Sequence, residues 1–210
     1  GVTARAAGYP FLLETTVSPS LLPNKTNYTI RKPVGVVGVI GPFNFPMFLA
    51  MRTVAPALAA GNGVVLKPSS STPITGGTLI ARIFEEAGVP AGLFSVIVPK
   101  TSEIGDAFYA HPIPDVISFT GSTAVGRRIG EVAGREVKKT MLELGGNNAV
   151  VVLDDADVDY AVRAAVFGRF LHSGQICMSA NRIIVDLTIF DEFAAKFVKL
   201  TKTLAVGNPA

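Results

Sequence analysis

Cysteine is almost absent from this chain: Cys177 is the single one among 210 residues. One cysteine excludes an internal disulfide and makes a reducing cytoplasm the expected home. Histidine is scarce too, with only His111 and His172 present. His172 precedes Cys177 by five residues, a spacing that fixes no geometry between them, so it is given no catalytic role. No metal site is expected. Gly, Pro or Asn interrupts every apolar stretch well before the ~18 residues a membrane helix needs. Residues 1–10 lack a basic segment followed by an apolar core, so no signal peptide is read. Charged residues make up 17% of the chain and the net charge is +3. Arg127-Arg128 and Lys138-Lys139 are isolated pairs, read as solvated faces and not as a nucleic-acid footprint. The dinucleotide fingerprint G-x-G-x-x-G occurs nowhere, and there is no internal repeat or low-complexity tract.

What is present is apolar and punctuated: 49% hydrophobic residues, 21 glycines and 14 prolines. Such a chain buries a real core and is not disordered. Residues 1–31 show no helical periodicity. Asn27-Tyr28-Thr29-Ile30-Arg31 alternates like a strand after a turn at Pro23-Asn24-Lys25, which suggests a hairpin. From Val34 onward, strands are expected at 34–40, 64–67, 94–98, 116–119 and 137–143. Helices are expected between them at 47–60, 73–87, 102–110 and 123–134. Continuous apolar strands separated by helices indicate βαβ units and a parallel sheet covered on both faces. Residues 32–144 therefore read as α/β, a doubly wound, Rossmann-like open parallel sheet. After Gly145-Gly146 come a strand at 149–153, a helix at 158–170, a strand at 183–185 and a helix at 188–204. They either continue that sheet or open a second α/β domain. Pro209-Ala210 reads as a cut.

Ligands of doubly wound sheets bind beyond the carboxyl ends of the strands, so the residues that follow each strand carry the functional information. Gly41-Pro42-Phe43-Asn44-Phe45-Pro46 follows the first. The Asn44 amide is placed either to donate to a developing oxyanion or to cap the next helix. Lys67-Pro68-Ser69-Ser70 follows the second. A lysine ending a buried strand must carry its charge to water or to an anion such as a nucleotide. Phe119-Thr120-Gly121-Ser122 follows the fourth, and its glycine turn into a helix would present free N–H groups to a pyrophosphate. Gly121 and Gly126 have P-loop spacing, but Arg127-Arg128 stand where a P-loop needs Lys and Ser/Thr, which argues against a nucleoside triphosphatase. Glu143-Leu144-Gly145-Gly146 follows the fifth. Burial of Glu143 among apolar neighbours would raise its pKa toward that of a general base; a surface carboxylate is the plainer reading. Cys177, after a glycine-containing loop, is either a small buried hydrophobe or, if accessible, a thiolate nucleophile.

Taken in order, Pro42 to Pro46, Lys67-Pro68-Ser69, Phe119 to Gly126, Glu143 to Gly146 and Gly174-Gln175-Ile176-Cys177 resemble the aldehyde dehydrogenase superfamily, from about Asn27 to Pro209. The resemblance implies that Cys177 attacks an aldehyde carbonyl and that its N–H and Asn44 hold the oxyanion. A nicotinamide cofactor then takes hydride, and Glu143 activates the water that hydrolyses the thioester. It places Gly41, Pro42, Phe43, Lys67, Ser69, Ser70, Gly121, Ser122, Val125, Leu144 and Gly145 at the cofactor. It places Phe45, Leu49, Arg52, Ile176 and Met178 in the aldehyde tunnel, with Phe, Leu, Ile and Met forming an apolar wall. Many members have Trp at Phe43, and NAD-preferring members have Glu at Ser70. Loss of that carboxylate implies that NADP as well as NAD is accepted.

Phe43 to Pro46 with Met51-Arg52 is similar to the aromatic branch, the benzaldehyde and vanillin dehydrogenases. Family members run to roughly twice this length. The resemblance therefore implies a partial N-terminal segment with an oligomerisation hairpin (1–31), an incomplete cofactor domain (32–144) and the opening of a catalytic domain (145–210). A small-molecule aldehyde is the implied substrate, a homodimer or homotetramer the implied assembly, and no nucleic acid or membrane is involved. The chain alone is expected to be inactive, with its last helices exposing apolar faces. Three rivals stand beside this reading. A coenzyme A-acylating dehydrogenase typically lacks the glutamate found at Glu143. A non-redox cysteine hydrolase leaves the sheet unexplained. A non-catalytic protein on the same fold leaves Cys177, Glu143 and Asn44 without a purpose.

Overall fold

The computed structural model describes residues 2–208; the Pro209-Ala210 end lies outside the described residues. The chain forms two compact units, Gly1–Leu144 and Gly145–Ala210.

The first unit is built on a five-stranded sheet of β3 (Val36–Ile40), β4 (Gly63–Lys67), β5 (Phe94–Val96), β6 (Pro114–Thr120) and β7 (Lys139–Glu143). All neighbours pair in parallel, in the order β5-β4-β3-β6-β7. The chain thus steps outward from β3 to β5, then crosses to the other side for β6 and β7. That is the doubly wound arrangement, and its switch point lies between β3 and β6. Helices α2 (Pro46–Ala59), α3 (Leu79–Glu86) and α6 (Thr123–Arg135) supply the crossovers.

Side chains alternate across a strand, and the two cores follow that alternation. Val64, Leu66 and Val116 join Val37, Val39, Ala50, Val54 and Ile80 in one cluster. Ile117 and Phe119 join Phe108, Tyr109, Ile129 and Val132 in the other, with Val65 packed against it. The central strands β4, β3 and β6 are therefore buried on both faces, as their apolar runs require, whereas the edge strand β7 is exposed except for partly covered Leu142. Buried Asn62 fastens the entry to β3. Its Oδ1 accepts from Val34 N–H at 2.8 Å and Gly35 N–H at 3.2 Å, and its Nδ2 donates to the Ala57 carbonyl at 3.0 Å.

Several boundaries differ from those expected. Residues 1–31 do contain helix: α1 (Val2–Ala6) packs on α2 and buries Ala6, and a 3-10 turn follows at Tyr9–Leu12. Five residues are too few to show a helical period. The hairpin is present as antiparallel β1 (Thr16–Pro19) and β2 (Thr26–Thr29), with every residue exposed. The expected helix over 73–87 begins with a π-type turn, Ile74–Thr78, before α3. The one over 102–110 is split into α4 (Thr101–Ile104) and α5 (Ala107–Ala110) at Gly105, whose φ of +46° leaves the right-handed helical region. The last strand starts at Lys139 and not at Val137. Val137 adopts φ +56°, and the N–H groups of Val137 and Lys138 close the end of α6 on Gly134 and Ala133.

In the second unit, β8 (Asn148–Val152) and β9 (Ala180–Val185) form a separate two-stranded parallel sheet. This decides between the two expectations: residues 145–210 do not extend the first sheet. Helices α7 (Val158–Phe170) and α8 (Phe190–Thr201) pack on each other around Val152, Val162, Ala165, Val166 and Phe193. As anticipated for the last helices, Tyr160, Phe167, Phe190 and Val198 are exposed.

Candidate active site

In the first unit the loops after β3 and β6 leave adjacent strands at the switch point, the position where such sheets hold ligands. Gly41 and Pro42 are buried there, and Gly41 N–H donates to the Lys67 carbonyl at 2.9 Å, tying the loop to the end of β4. Phe43 is exposed; Asn44 and Phe45 are partly covered. Asn44 does not cap α2, whose N-cap position is Phe45. Its Oδ1 accepts instead from Phe45 N–H at 3.0 Å.

Lys67 is 8% exposed, and its ammonium forms no hydrogen bond or ion pair among the described residues. Burial lowers its pKa. A lysine whose stem is buried at a strand end carries its ammonium to water or to an anionic or polyhydroxyl ligand. Beyond it Ser69 closes a turn, its Oγ accepting from Ser71 N–H at 3.3 Å and its carbonyl from Thr72 N–H at 3.1 Å, and Ser70 is exposed.

The turn into α6 departs from expectation. Gly121 N–H is not available to a ligand, because it donates to the Glu143 carbonyl at 3.0 Å and extends the β6–β7 ladder by one residue. Ser122 is the N-cap, its Oγ accepting from Val125 N–H at 3.4 Å. Gly126 lies against Leu144, which follows β7: a Cβ there would displace the end of the Leu144 side chain.

A cleft of about 210 Å³ lies over the β6–β7 side of the sheet, lined by Leu49, Arg52, Thr53, Ser118, Thr120, Met141, Leu142 and Glu143. It brings together Leu49, Arg52 and Glu143, three of the residues singled out from sequence. Thr53, Ser118, Thr120, Met141 and Leu142 were missed, although a signal existed. Ser118 and Thr120 share the face of Val116 by alternation, and the register pairs Met141 with Ser118 and Glu143 with Thr120. Thr53 Oγ1 and buried Ser118 Oγ are 3.0 Å apart, seating α2 on that face. The wall is mixed, with polar groups among the apolar ones. Glu143 is exposed, so the burial expected to tune it is not supplied by the described residues.

In the second unit Cys177 is exposed. It is the second residue of a β-turn, Ile176-Cys177-Met178-Ser179, closed by Ser179 N–H donating to the Ile176 carbonyl at 3.0 Å. Met178 is 73% exposed and Ile176 partly covered, whereas Ser179 is buried as β9 begins. The chain reaches this turn through His172 and Ser173, both left-handed at φ +53° and +56°, and then Gly174 at +73°. Two non-glycine residues in that region are strained, a feature that clusters at functional sites. Gly145 is exposed. Among the described residues no group of His, Cys, Asp and Glu is placed to hold a metal, and no helix is long and apolar enough to cross a membrane.

The family model described as the aldehyde dehydrogenase family matches residues 2–210. The chain belongs to the aldehyde dehydrogenase family. It is 57% identical over 208 residues to a benzaldehyde dehydrogenase of Bacillus subtilis, covering 99% of this chain and 43% of that protein. It is 56% identical over 211 residues to a vanillin dehydrogenase of Corynebacterium glutamicum, covering 100% of this chain and 44% of that protein. The crystal structure of an NAD-dependent benzaldehyde dehydrogenase from Corynebacterium glutamicum superposes with a TM-score of 0.92 at 55% identity, covering 100% of this chain and 46% of that one. The chain thus spans less than half the length of these family members.

Proposed function

We propose that the complete protein carrying this chain oxidises an aldehyde, an aromatic one foremost, to its carboxylic acid with NAD⁺ or NADP⁺. The observation that carries this is Cys177, the only cysteine, exposed on a β-turn in a chain of this family. The aromatic preference rests on similarity to benzaldehyde and vanillin dehydrogenases.

In this reading the Cys177 thiolate attacks the carbonyl carbon, and Cys177 N–H and the Asn44 amide donate to the resulting oxyanion. A bound nicotinamide dinucleotide supplies the hydride acceptor, which leaves a thioester on Cys177. The Glu143 carboxylate then takes a proton from the attacking water, and the carboxylic acid and the thiolate are released. Unpartnered Lys67 fits the adenosine ribose, with Gly41, Pro42, Phe43 and Ser69 around it and Ser122, Val125, Leu144 and Gly145 toward the rest of the dinucleotide. Gly121 shapes this region through its backbone and offers no N–H. Exposed Ser70, where a carboxylate would repel a 2′-phosphate, suits either cofactor. Phe45, Leu49, Arg52, Ile176 and Met178 face the aldehyde. We assign residues 1–31 to assembly, 32–144 to the cofactor and 145–210 to the nucleophile. The wholly exposed β1–β2 hairpin suits a homodimer or homotetramer, since an isolated hairpin is marginal in water. A cytoplasmic setting suits the free thiol.

The test is formation of reduced nicotinamide by the complete protein with benzaldehyde and with a short aliphatic aldehyde, each with NAD⁺ and with NADP⁺. The native protein is expected to turn over, fastest with benzaldehyde, and Cys177→Ala to lose at least about 10³-fold in kcat. Full activity in the alanine variant would sink the assignment.

A further inference from the structure

Asn148, the first residue of β8, lies against the Cys177 turn and has been given no role above. Its Nδ2 donates to the Cys177 carbonyl at 2.8 Å and to the Ser179 carbonyl at 3.4 Å. Both partners only accept, so the amide faces them with its NH₂ and in no other orientation. Two residues earlier, Gly146 comes so close that a Cβ there would overlap the Cys177 carbonyl oxygen. The peptide that leaves Cys177 is therefore held against the segment that opens β8. Within the turn itself only the Ser179-to-Ile176 bond closes the backbone, and the approach through left-handed His172 and Ser173 is strained.

We propose that Asn148 is a positioning residue for the nucleophile, with Gly146 giving the carbonyl room to reach it. Fixing the Cys177–Met178 peptide sets ψ of Cys177. It thereby limits where Sγ and the Cys177 N–H point relative to a carbonyl under attack. Misplacement of a reacting atom by about 1 Å costs on the order of 10²-fold in rate. The inference rests on Cys177 being the nucleophile, as proposed above.

A filler of space and a hydrogen-bond donor at this position predict opposite orders of damage. Asn148→Asp keeps the shape but turns an acceptor toward two carbonyl oxygens, whereas Asn148→Ala only removes the donor. The readout is acylation of Cys177 by p-nitrophenyl acetate in the complete protein. The thiolate attacks the ester carbonyl, p-nitrophenolate leaves, and an acetyl thioester remains, with no cofactor involved. Aldehyde turnover is measured alongside.

Expected are losses of about tenfold for Asn148→Ala and about 100-fold for Asn148→Asp, in acylation and in kcat alike. KM for the aldehyde should stay within about twofold. The inference is overturned if Asn148→Asp acylates within about twofold of the native rate, or if Asn148→Ala is the slower of the two. Should both variants fail to fold, Gly146→Ala decides. It keeps Asn148 in the chain but puts a Cβ against both the Cys177 carbonyl and the Asn148 amide, so acylation about tenfold slower supports the grip and a native rate overturns it. If no aldehyde is oxidised by any of the proteins, the dehydrogenase reading falls, while the order of the acylation rates still decides the role of Asn148.

Discussion

The two units bury their strands in different ways. In the first, β3 and β6 hold side chains against helices on both faces, and Leu66, Ile80, Ile117 and Ile129 are fully enclosed. In the second, β8 and β9 bury alternate residues only. Val152 is 3% exposed, whereas Val151 and Ile184 are 61% and 53% exposed. Among the described residues, one unit carries two core clusters and the other a single one. The proposed division of labour follows this contrast. The platform for a large cofactor sits on a doubly covered sheet, and the nucleophile sits on a turn that leads into a sparsely covered one.

The same truncation made in each unit tests the contrast most strongly. Val54 is fully enclosed in α2, and Val54→Ala should cost about 2–3 kcal/mol, because fixed neighbours on every side leave a cavity. Val166 is 6% exposed in α7, and Val166→Ala should cost only about 1 kcal/mol, because the smaller core can collapse around the gap. Hydrogen exchange of β3 and β6 amides against those of β8 and β9 assigns each loss to its own unit. Equal costs, or equal protection of the two sheets, would break the contrast.

A smaller effect comes from the one place where the well-covered unit carries a penalty. Lys67 is largely covered, and desolvation lowers its pKa from the ordinary 10.5. Between the lowered value and 10.5 the unfolded chain still holds a proton that the folded chain has released. Stability should therefore rise with pH across that window, and below it the folded chain bears the full cost of the buried charge. Lys67→Met should remove this rise, lift the melting temperature near neutral pH by roughly 2–4 °C, and weaken dinucleotide binding. Melting curves between neutral pH and pH 10, with titration of NAD⁺, check all three. A fall in stability without any loss of binding would make Lys67 a packing residue.

Much of this was legible in the sequence, because the central strands of the first unit, β3, β4 and β6, are largely apolar runs and the informative residues follow the strands. Lys67, Asn44, Glu143 and Cys177 all stand at such ends or on the loop before β9. What escaped the sequence depended on backbone geometry. The left-handed φ of Val137, a β-branched residue that rarely adopts it, shortened β7. Gly121 looked like an open anion site, yet its N–H is spent on the Glu143 carbonyl, a pairing set by the β6–β7 register. Asn148 carries no signal in the sequence; its contact with the Cys177 turn arises only when β8 lies beside β9, in register with Ala180. The residues lining the cleft were one step from legible, since alternation along β6 and β7 places Ser118, Thr120, Met141 and Glu143 on one face.

A smaller effect still is expected at Ser179, two residues after Cys177 in the second unit. Ser179 is 3% exposed, and its hydroxyl has no hydrogen-bond partner among the described residues, although its N–H and carbonyl are both engaged. A buried hydroxyl left unpaired is a desolvation penalty with nothing to offset it. Ser179→Ala removes the oxygen and keeps the backbone bonds that close the Cys177 turn. The expected gain is about 0.5–1 kcal/mol, read as a small rise in melting temperature, with aldehyde turnover within about twofold of native. A loss of turnover beside that gain would mean that the hydroxyl is kept for the reaction at the expense of the core. Destabilisation would mean that it is solvated in the complete protein, and the contrast between the two units would then be weaker than their burial suggests.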